Sequence, residues 1–201
     1  MKPALALLIA YLLGAVPFGY LLVKLRTGRD VRAMGSGNIG ATNVLRTTGR
    51  WAAVVVLLLD IAKGFLAVWQ AGALTGGEAV WMAAAALAVM AGHGFPVFLK
   101  FRGGKAVASC VGAFLCLAPP ALGVALVVFA LVVAKSRYIS LGSIAAAATL
   151  PLAVFLVSRP HWTVTAAAAI AGAFIIWRHQ ENIARLRAGK ENVFSFGGPR
   201  S

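Results

Sequence analysis

The 29-residue stretch 106–134, AVASCVGAFLCLAPPALGVALVVFALVVA, has no charged side chain, and Pro119-Pro120 stand near its middle. A helix that crosses a bilayer needs about 20 apolar residues. One continuous helix over this stretch would be roughly 43 Å long at 1.5 Å per residue. Prolines in a helix interior remove a hydrogen-bond donor and clash with the preceding turn. Two short spans and one kinked span both fit the length. The choice decides whether the chain crosses a membrane seven times or six.

That it crosses one at all follows from composition. The chain has 201 residues, 61% hydrophobic and only 12% charged, with a mean hydropathy of +0.87. A soluble domain carries about 25% charged residues, so this chain cannot coat a globular surface with polar groups. Disorder requires low hydrophobicity and is excluded. Cys110 and Cys116 are the only cysteines and lie in the apolar stretch, where two small buried residues are a simpler reading than a disulfide scaffold. Nineteen Lys and Arg against five Asp and Glu give a net charge of +14. Such an excess alone suggests nucleic acid. The hydropathy makes it a membrane topology signal instead, and no nucleic-acid partner is expected.

The other apolar runs are 3–23, 51–77 (with Asp60 and Lys63), 79–99 (with His93), 138–158 and 160–177 (with His161). Cytoplasmic loops collect Lys and Arg. With seven spans and the amino terminus outside, the inner side receives Lys24, Arg26, Arg29, Arg32, Arg46 and Arg50, then Lys100, Arg102 and Lys105, then Lys135 and Arg137, then Arg178, Arg185, Arg187, Lys190 and Arg200. That is sixteen of the nineteen cations; six spans would put seven of them outside. The expected architecture is an all-α integral membrane protein with seven transmembrane helices, the N-terminus outside and the C-terminus cytoplasmic. It reads as a single polytopic domain, 1–201, with approximate spans 3–23, 53–71, 79–92, 106–118, 120–134, 143–158 and 161–177. The first run is too long for a cleaved signal peptide, and its stronger charge follows it. There is no internal repeat to support an inverted-repeat transporter.

Four polar segments then need explaining, all on the inner side. The first, Met34 to Arg46, carries Gly35, Gly37 and Gly40 in a G-x-G-x-x-G spacing. No βαβ unit surrounds it, so a dinucleotide fold is not indicated. Glycines still let backbone N–H groups converge on an anion. Ser36, Asn38, Thr42 and Asn43 add neutral hydrogen-bonding groups, and the Arg46 guanidinium suits phosphate. The second, Gly92-His93 through Gly103-Gly104-Lys105, can open a backbone nest at the start of the next helix, with Lys105 as a point charge. It is not a Walker loop, because Leu99 and Ala106 stand where that motif needs Gly and Ser or Thr. Lys100 and Arg102 read as inner-face anchors. The third segment places Ser140 and Ser143 on one helix face. In the fourth, His179 and Asn182 share a face of an amphipathic helix whose Ile183 and Leu186 can dip into the interface. Within the second apolar run, Asp60 and Lys63 are spaced i, i+3 and can neutralise each other.

The absences matter as well. The acids Asp30, Glu181 and Glu191 are scattered, so a carboxylate-held metal is not expected. No His/Cys cluster has zinc spacing, and no His is followed by Asp five positions later. No metal and no cofactor are expected.

Gly35-Ser-Gly-Asn-Ile-Gly-Ala-Thr-Asn43, Gly92-His93 through Gly103-Gly104-Lys105, and Arg178-His179 with Asn182-Ile183 and Arg185-Leu186 together resemble the bacterial acyl-phosphate:glycerol-3-phosphate acyltransferase family, PlsY. The resemblance runs in order over essentially the whole chain. It implies acyl transfer from acyl phosphate to sn-glycerol 3-phosphate, giving 1-acylglycerol 3-phosphate and inorganic phosphate at the cytoplasmic face of a bacterial inner membrane. It implies those two substrates and membrane lipids as partners, with no obligate protein partner. It suggests Ser36, Asn38, Lys105 and His179 as catalytic. Gly35, Gly37, Gly40, Thr42, Asn43, Arg46, His93, Gly103, Gly104, Ser140, Ser143 and Asn182 would bind substrate. Ala106 and Ser109 depart from a glycine and a threonine common in the family. The rival reading is a transporter or channel for a small phosphate-bearing anion. It calls for polar residues along a path through the membrane, and only Asp60 and Lys63 lie deep.

Overall fold

The structure, a computed structural model, describes residues 1–194, and all the regular elements among them are helical. Arg200, counted above with the inner cations, lies outside the described residues. The helices are α1 (Lys2–Ala15), α2 (Phe18–Thr27), α3 (Ala41–Thr48), α4 (Arg50–Thr75), α5 (Ala79–Gly94), α6 (Val107–Leu117), α7 (Pro119–Ser136), α8 (Ile139–Ala153), α9 (Trp162–Arg178) and α10 (Gln180–Arg187). Five helical segments among the described residues are long and apolar enough to cross a membrane: Lys2–Thr27, Arg50–Thr75, Ala79–Leu99, Pro119–Ser136 and Ile139–Ser158. Val107–Leu117 and Trp162–Arg178 are shorter apolar helices.

The double proline does not kink a long helix. α6 ends at Leu117, Ala118 takes an N-cap position, and Pro119 and Pro120 open α7. The first turn of a helix tolerates proline because its N–H groups have no intrahelical partner. Of the two readings the length left open, two separate helices are the one adopted.

The chain divides within α6 into two compact units, residues 1–113 and residues 114–194 of the described chain. In the first, α1 packs against α4 and α5, α4 against α5, and α3 against α4. Reciprocal glycines set two of its helix contacts. A side chain at Gly14 would collide with the Val89 backbone, and one at Gly92 with the Tyr11 carbonyl, so α1 and α5 touch main chain to main chain. Gly64 and Gly112 do the same for α4 and α6, against the Ser109 and Ile61 carbonyls. Small residues are how helices approach closely where no hydrophobic force drives them together. The first apolar run is not continuous. Val16 is extended and Pro17 restarts the chain as α2, and the Val16 carbonyl accepts a hydrogen bond from Lys63 Nζ at 2.9 Å. Below the 34–40 loop, Val23, Val31, Ile39, Val44 and Val56 form a buried cluster.

In the second unit α7 packs on α8 and α8 on α9. Gly142 lies against Phe129 and Val133, and Gly172 against the Ala147 carbonyl. His179 breaks the helical path between α9 and α10.

Candidate active site

The first polar segment is a loop organised by one side chain. Asn43, in the first turn of α3, is 1% exposed. Its Oδ1 accepts the Ser36 N–H at 2.8 Å. Its Nδ2 donates to the carbonyls of Val31 at 3.2 Å, Met34 at 3.0 Å and Asn38 at 2.8 Å. Gly35 and Gly37 adopt left-handed backbone with φ of 57° and 70°, and a side chain at Gly35 would strike Asn43 Oδ1. Asn38 Oδ1 accepts the Gly40 N–H at 2.9 Å, just before α3 begins. Ser36, Asn38 and Thr42 are half-buried and Arg46 is exposed in the last turn of α3. Asn43 therefore differs from the substrate ligand expected of it: its amide is committed to the loop. Upstream, Asp30 caps the 3-10 turn Val31–Ala33 by accepting from the Arg32 N–H at 2.9 Å, and its carboxylate pairs with the Arg32 guanidinium at 2.7 Å. The Arg32 side-chain hydrogen bond holds the Asp30 carboxyl below its ordinary value, so the cap stays charged.

The second segment also differs from expectation. The Gly103 and Gly104 N–H groups do not open into a nest. They donate to the Gly94 carbonyl at 3.2 Å and the His93 carbonyl at 3.0 Å. A side chain at Gly104 would meet the His93 ring. These glycines are needed because the loop closes directly on the end of α5. His93 is buried, with its Nδ1 3.3 Å from Ser109 Oγ and 3.7 Å from Asp60 Oδ1. It meets the protein's own groups rather than lying on the surface. Lys105 follows the closure, half-buried, and Ala106 after it has a left-handed φ of 59°.

In the second unit, Ser140 and Ser143 are buried in the first turns of α8. Ser143 Oγ donates to the Ile139 carbonyl at 2.9 Å, and Ser140 Oγ has no hydrogen-bond partner among the described residues. His179 is 3% exposed, and its Nδ1 lies 2.7 Å from the Ile175 carbonyl. A carbonyl only accepts, so Nδ1 carries a proton and the lone pair of the neutral ring is on Nε2. Asn182 Nδ2 donates to Glu191 Oε1 at 3.0 Å, and Arg185 Nε donates to Glu191 Oε2 at 2.9 Å. Glu191 is buried and ties the chain after α10 back onto it. Nothing in the sequence marks Glu191, which reads there as one of several scattered acids. Ser109 had a signal, as a polar side chain in an apolar stretch one turn after Lys105. Among the described residues no three His, Cys, Asp or Glu gather as a metal site.

The apolar helices define an integral membrane protein whose polar loops are rich in Gly, Ser, Asn and basic side chains. A family model described as glycerol-3-phosphate acyltransferase matches residues 4–189. A glycerol-3-phosphate acyltransferase of Trichlorobacter lovleyi is 51% identical, covering 92% of this chain and 94% of its own. That of Geotalea daltonii is 46% identical over the same shares of the two chains. The crystal structure of PlsY (YgiH), an integral membrane glycerol 3-phosphate acyltransferase in its glycerol 3-phosphate form, superposes with a TM-score of 0.92. It is 38% identical, covering 97% of this chain and 96% of that one. The chain belongs to the glycerol-3-phosphate acyltransferase family and is a membrane acyltransferase. The transporter reading finds no support in these relatives.

Proposed function

We propose that the protein moves a fatty acyl group from acyl phosphate to the sn-1 hydroxyl of glycerol 3-phosphate. The hydroxyl oxygen bonds to the acyl carbon, the acyl–phosphate bond breaks, and inorganic phosphate leaves with 1-acylglycerol 3-phosphate as the other product. One observation carries this reading. The fold match over 97% of the chain is to a relative described in a glycerol 3-phosphate form, and the same relative is described in a lysophosphatidic acid form. Those are the acceptor and the product.

Acyl phosphate is a mixed anhydride and is already activated, so the protein's part is positioning and charge stabilisation. Arg46 and Lys105 hold phosphate charge. Ser36, with its main chain fixed by Asn43, and Asn38 orient the reacting groups, and the N-terminus of α3 adds a favourable dipole. His179 and Asn182 bind the glycerol phosphate, and Ser140 supplies a further hydroxyl. A substrate phosphate oxygen takes the proton released by the glycerol hydroxyl. Neither a metal nor a protein partner enters this scheme. The seven-span topology, amino terminus outside and chemistry at the cytoplasmic face of the bacterial plasma membrane, is part of the same proposal. The distribution of Lys and Arg supports it.

The test is an assay of purified protein in detergent with acyl phosphate and glycerol 3-phosphate. Release of phosphate with formation of the acylglycerol phosphate, without carrier protein or coenzyme A, is the expected result. Lys105→Ala should lower kcat/KM at least about 100-fold, the scale of losing one preorganised charge-stabilising group. Unchanged turnover in that variant would refute the assignment of Lys105.

A further inference from the structure

Asp60, Lys63 and Ser109 are not among the groups assigned to substrate, and His93, expected as a substrate ligand, is buried in one polar cluster with them. All four residues are at most 4% exposed. Lys63 Nζ lies 2.8 Å from Asp60 Oδ1 and donates to the Val16 carbonyl at 2.9 Å. Ionisable groups at this depth are costly, and a buried ion pair is often no better for stability than apolar packing. Neutrality alone therefore does not account for the cluster.

Its neighbours do. Asp60 and Ser109 approach the same nitrogen of His93, at 3.7 and 3.3 Å. The docking of Gly64 against the Ser109 carbonyl holds α4 and α6 at a fixed spacing. On its other side, His93 grips the loop. Its carbonyl accepts the Gly104 N–H at 3.0 Å, and its ring fills the space where a Gly104 side chain would stand. Lys105 is the next residue, and the Ala106 carbonyl accepts the Cys110 N–H at 2.8 Å as α6 begins. The backbone of Lys105 is thus pinned on both sides, by His93 before it and by the α6 start after it.

We propose that Asp60, Lys63 and Ser109 are positioning residues for Lys105, acting through His93. The proposal rests on the role given to Lys105 above. Catalysis by positioning is sensitive to displacement, and a shift of about 1 Å from a remote change costs up to about 100-fold. Asp60 and Lys63 are too deeply paired to test singly without risking the fold, so the variants are His93→Gln and Ser109→Ala, each in the wild-type and Lys105→Arg backgrounds. In full-length protein each should lower kcat/KM about tenfold in the wild type, with Tm nearly unchanged, and less than about twofold once Lys105 is altered. Equal losses in both backgrounds, or activity that falls only in step with Tm, would overturn the proposal. Amide hydrogen exchange over Gly103–Lys105 reads the same clamp without reference to acyl transfer. Faster exchange there, with exchange over α5 unchanged, supports it in both variants. Unchanged exchange overturns it, whether or not the functional reading stands and whether or not Lys105→Arg is active.

Discussion

Asn43 accepts one N–H and shares its two amide hydrogens among the carbonyls of Val31, Met34 and Asn38. Its amide nitrogen is the part that cannot be replaced by oxygen. Asn43→Asp keeps the shape but turns the donor toward Val31, Met34 and Asn38 into an acceptor facing three carbonyls. Buried groups left unpaired cost about 1–3 kcal/mol each, so the variant should lose about 3 kcal/mol or more of stability. Thermal unfolding in detergent, compared with Asn43→Ala, measures it. A loss smaller than that of the alanine variant would show that the loop does not depend on the donor. Ala106 makes the opposite case. It is a buried residue held at φ 59°, where an L side chain costs about 1–2 kcal/mol. Ala106→Gly removes that strain and adds unfolded-state entropy, so a net gain of about 0.5–1 kcal/mol is expected, read as a higher Tm with activity retained.

At the scale of helices, the same substitution should have opposite signs at two glycines. Gly64 of α4 faces the Ser109 carbonyl, and a side chain there has nowhere to go. At Gly123 of α7 a Cβ would have open space, with no atom of another element among the described residues within 4 Å. Gly64→Ala should destabilise by about 3 kcal/mol through backbone separation. Gly123→Ala should be neutral or stabilising by up to about 1 kcal/mol, since alanine favours the helix. Parallel Tm measurements on the two variants decide this. The contrast also shows what could be read from sequence and what could not. The helices themselves were legible, because apolar runs and Pro119-Pro120 act locally through hydropathy and a missing N–H. Asp60 and Lys63 were legible as a pair for the same reason, being one turn apart. The functions of Gly103 and Gly104 were not, because a glycine that opens to an anion and one that closes on His93 have the same sequence signature. The break at Val16–Pro17 is completed by Lys63, 47 residues away, and the anchoring of Asn182 by Glu191 is likewise a tertiary fact. Local rules mark which residues are unusual; the partner that each unusual residue meets comes from packing.

Taken over the whole molecule, the dominant quantity is charge. Nineteen cations against five acids leave +14 on a chain whose proposed substrates are both anions. Arg32, Lys63 and Arg185 are neutralised locally by Asp30, Asp60 and Glu191, and the acids are too few to do this for all the other cations. The long-range field should therefore raise the local concentration of glycerol 3-phosphate, a small soluble dianion, more than it alters the acyl transfer step. The range of that field shrinks from about 10 Å at 0.1 M salt to about 3 Å at 1 M. Contacts made within hydrogen-bond distance, such as those assigned to Lys105 and Arg46, are screened much less. The KM for glycerol 3-phosphate should accordingly rise severalfold between low and high salt while kcat stays nearly constant. Initial rates in an uncharged detergent, with sodium chloride and with a second monovalent salt, separate screening from competition by one anion. If KM is flat and kcat falls instead, the basic surface serves membrane orientation alone, and the work of drawing in the substrate belongs entirely to the short-range contacts.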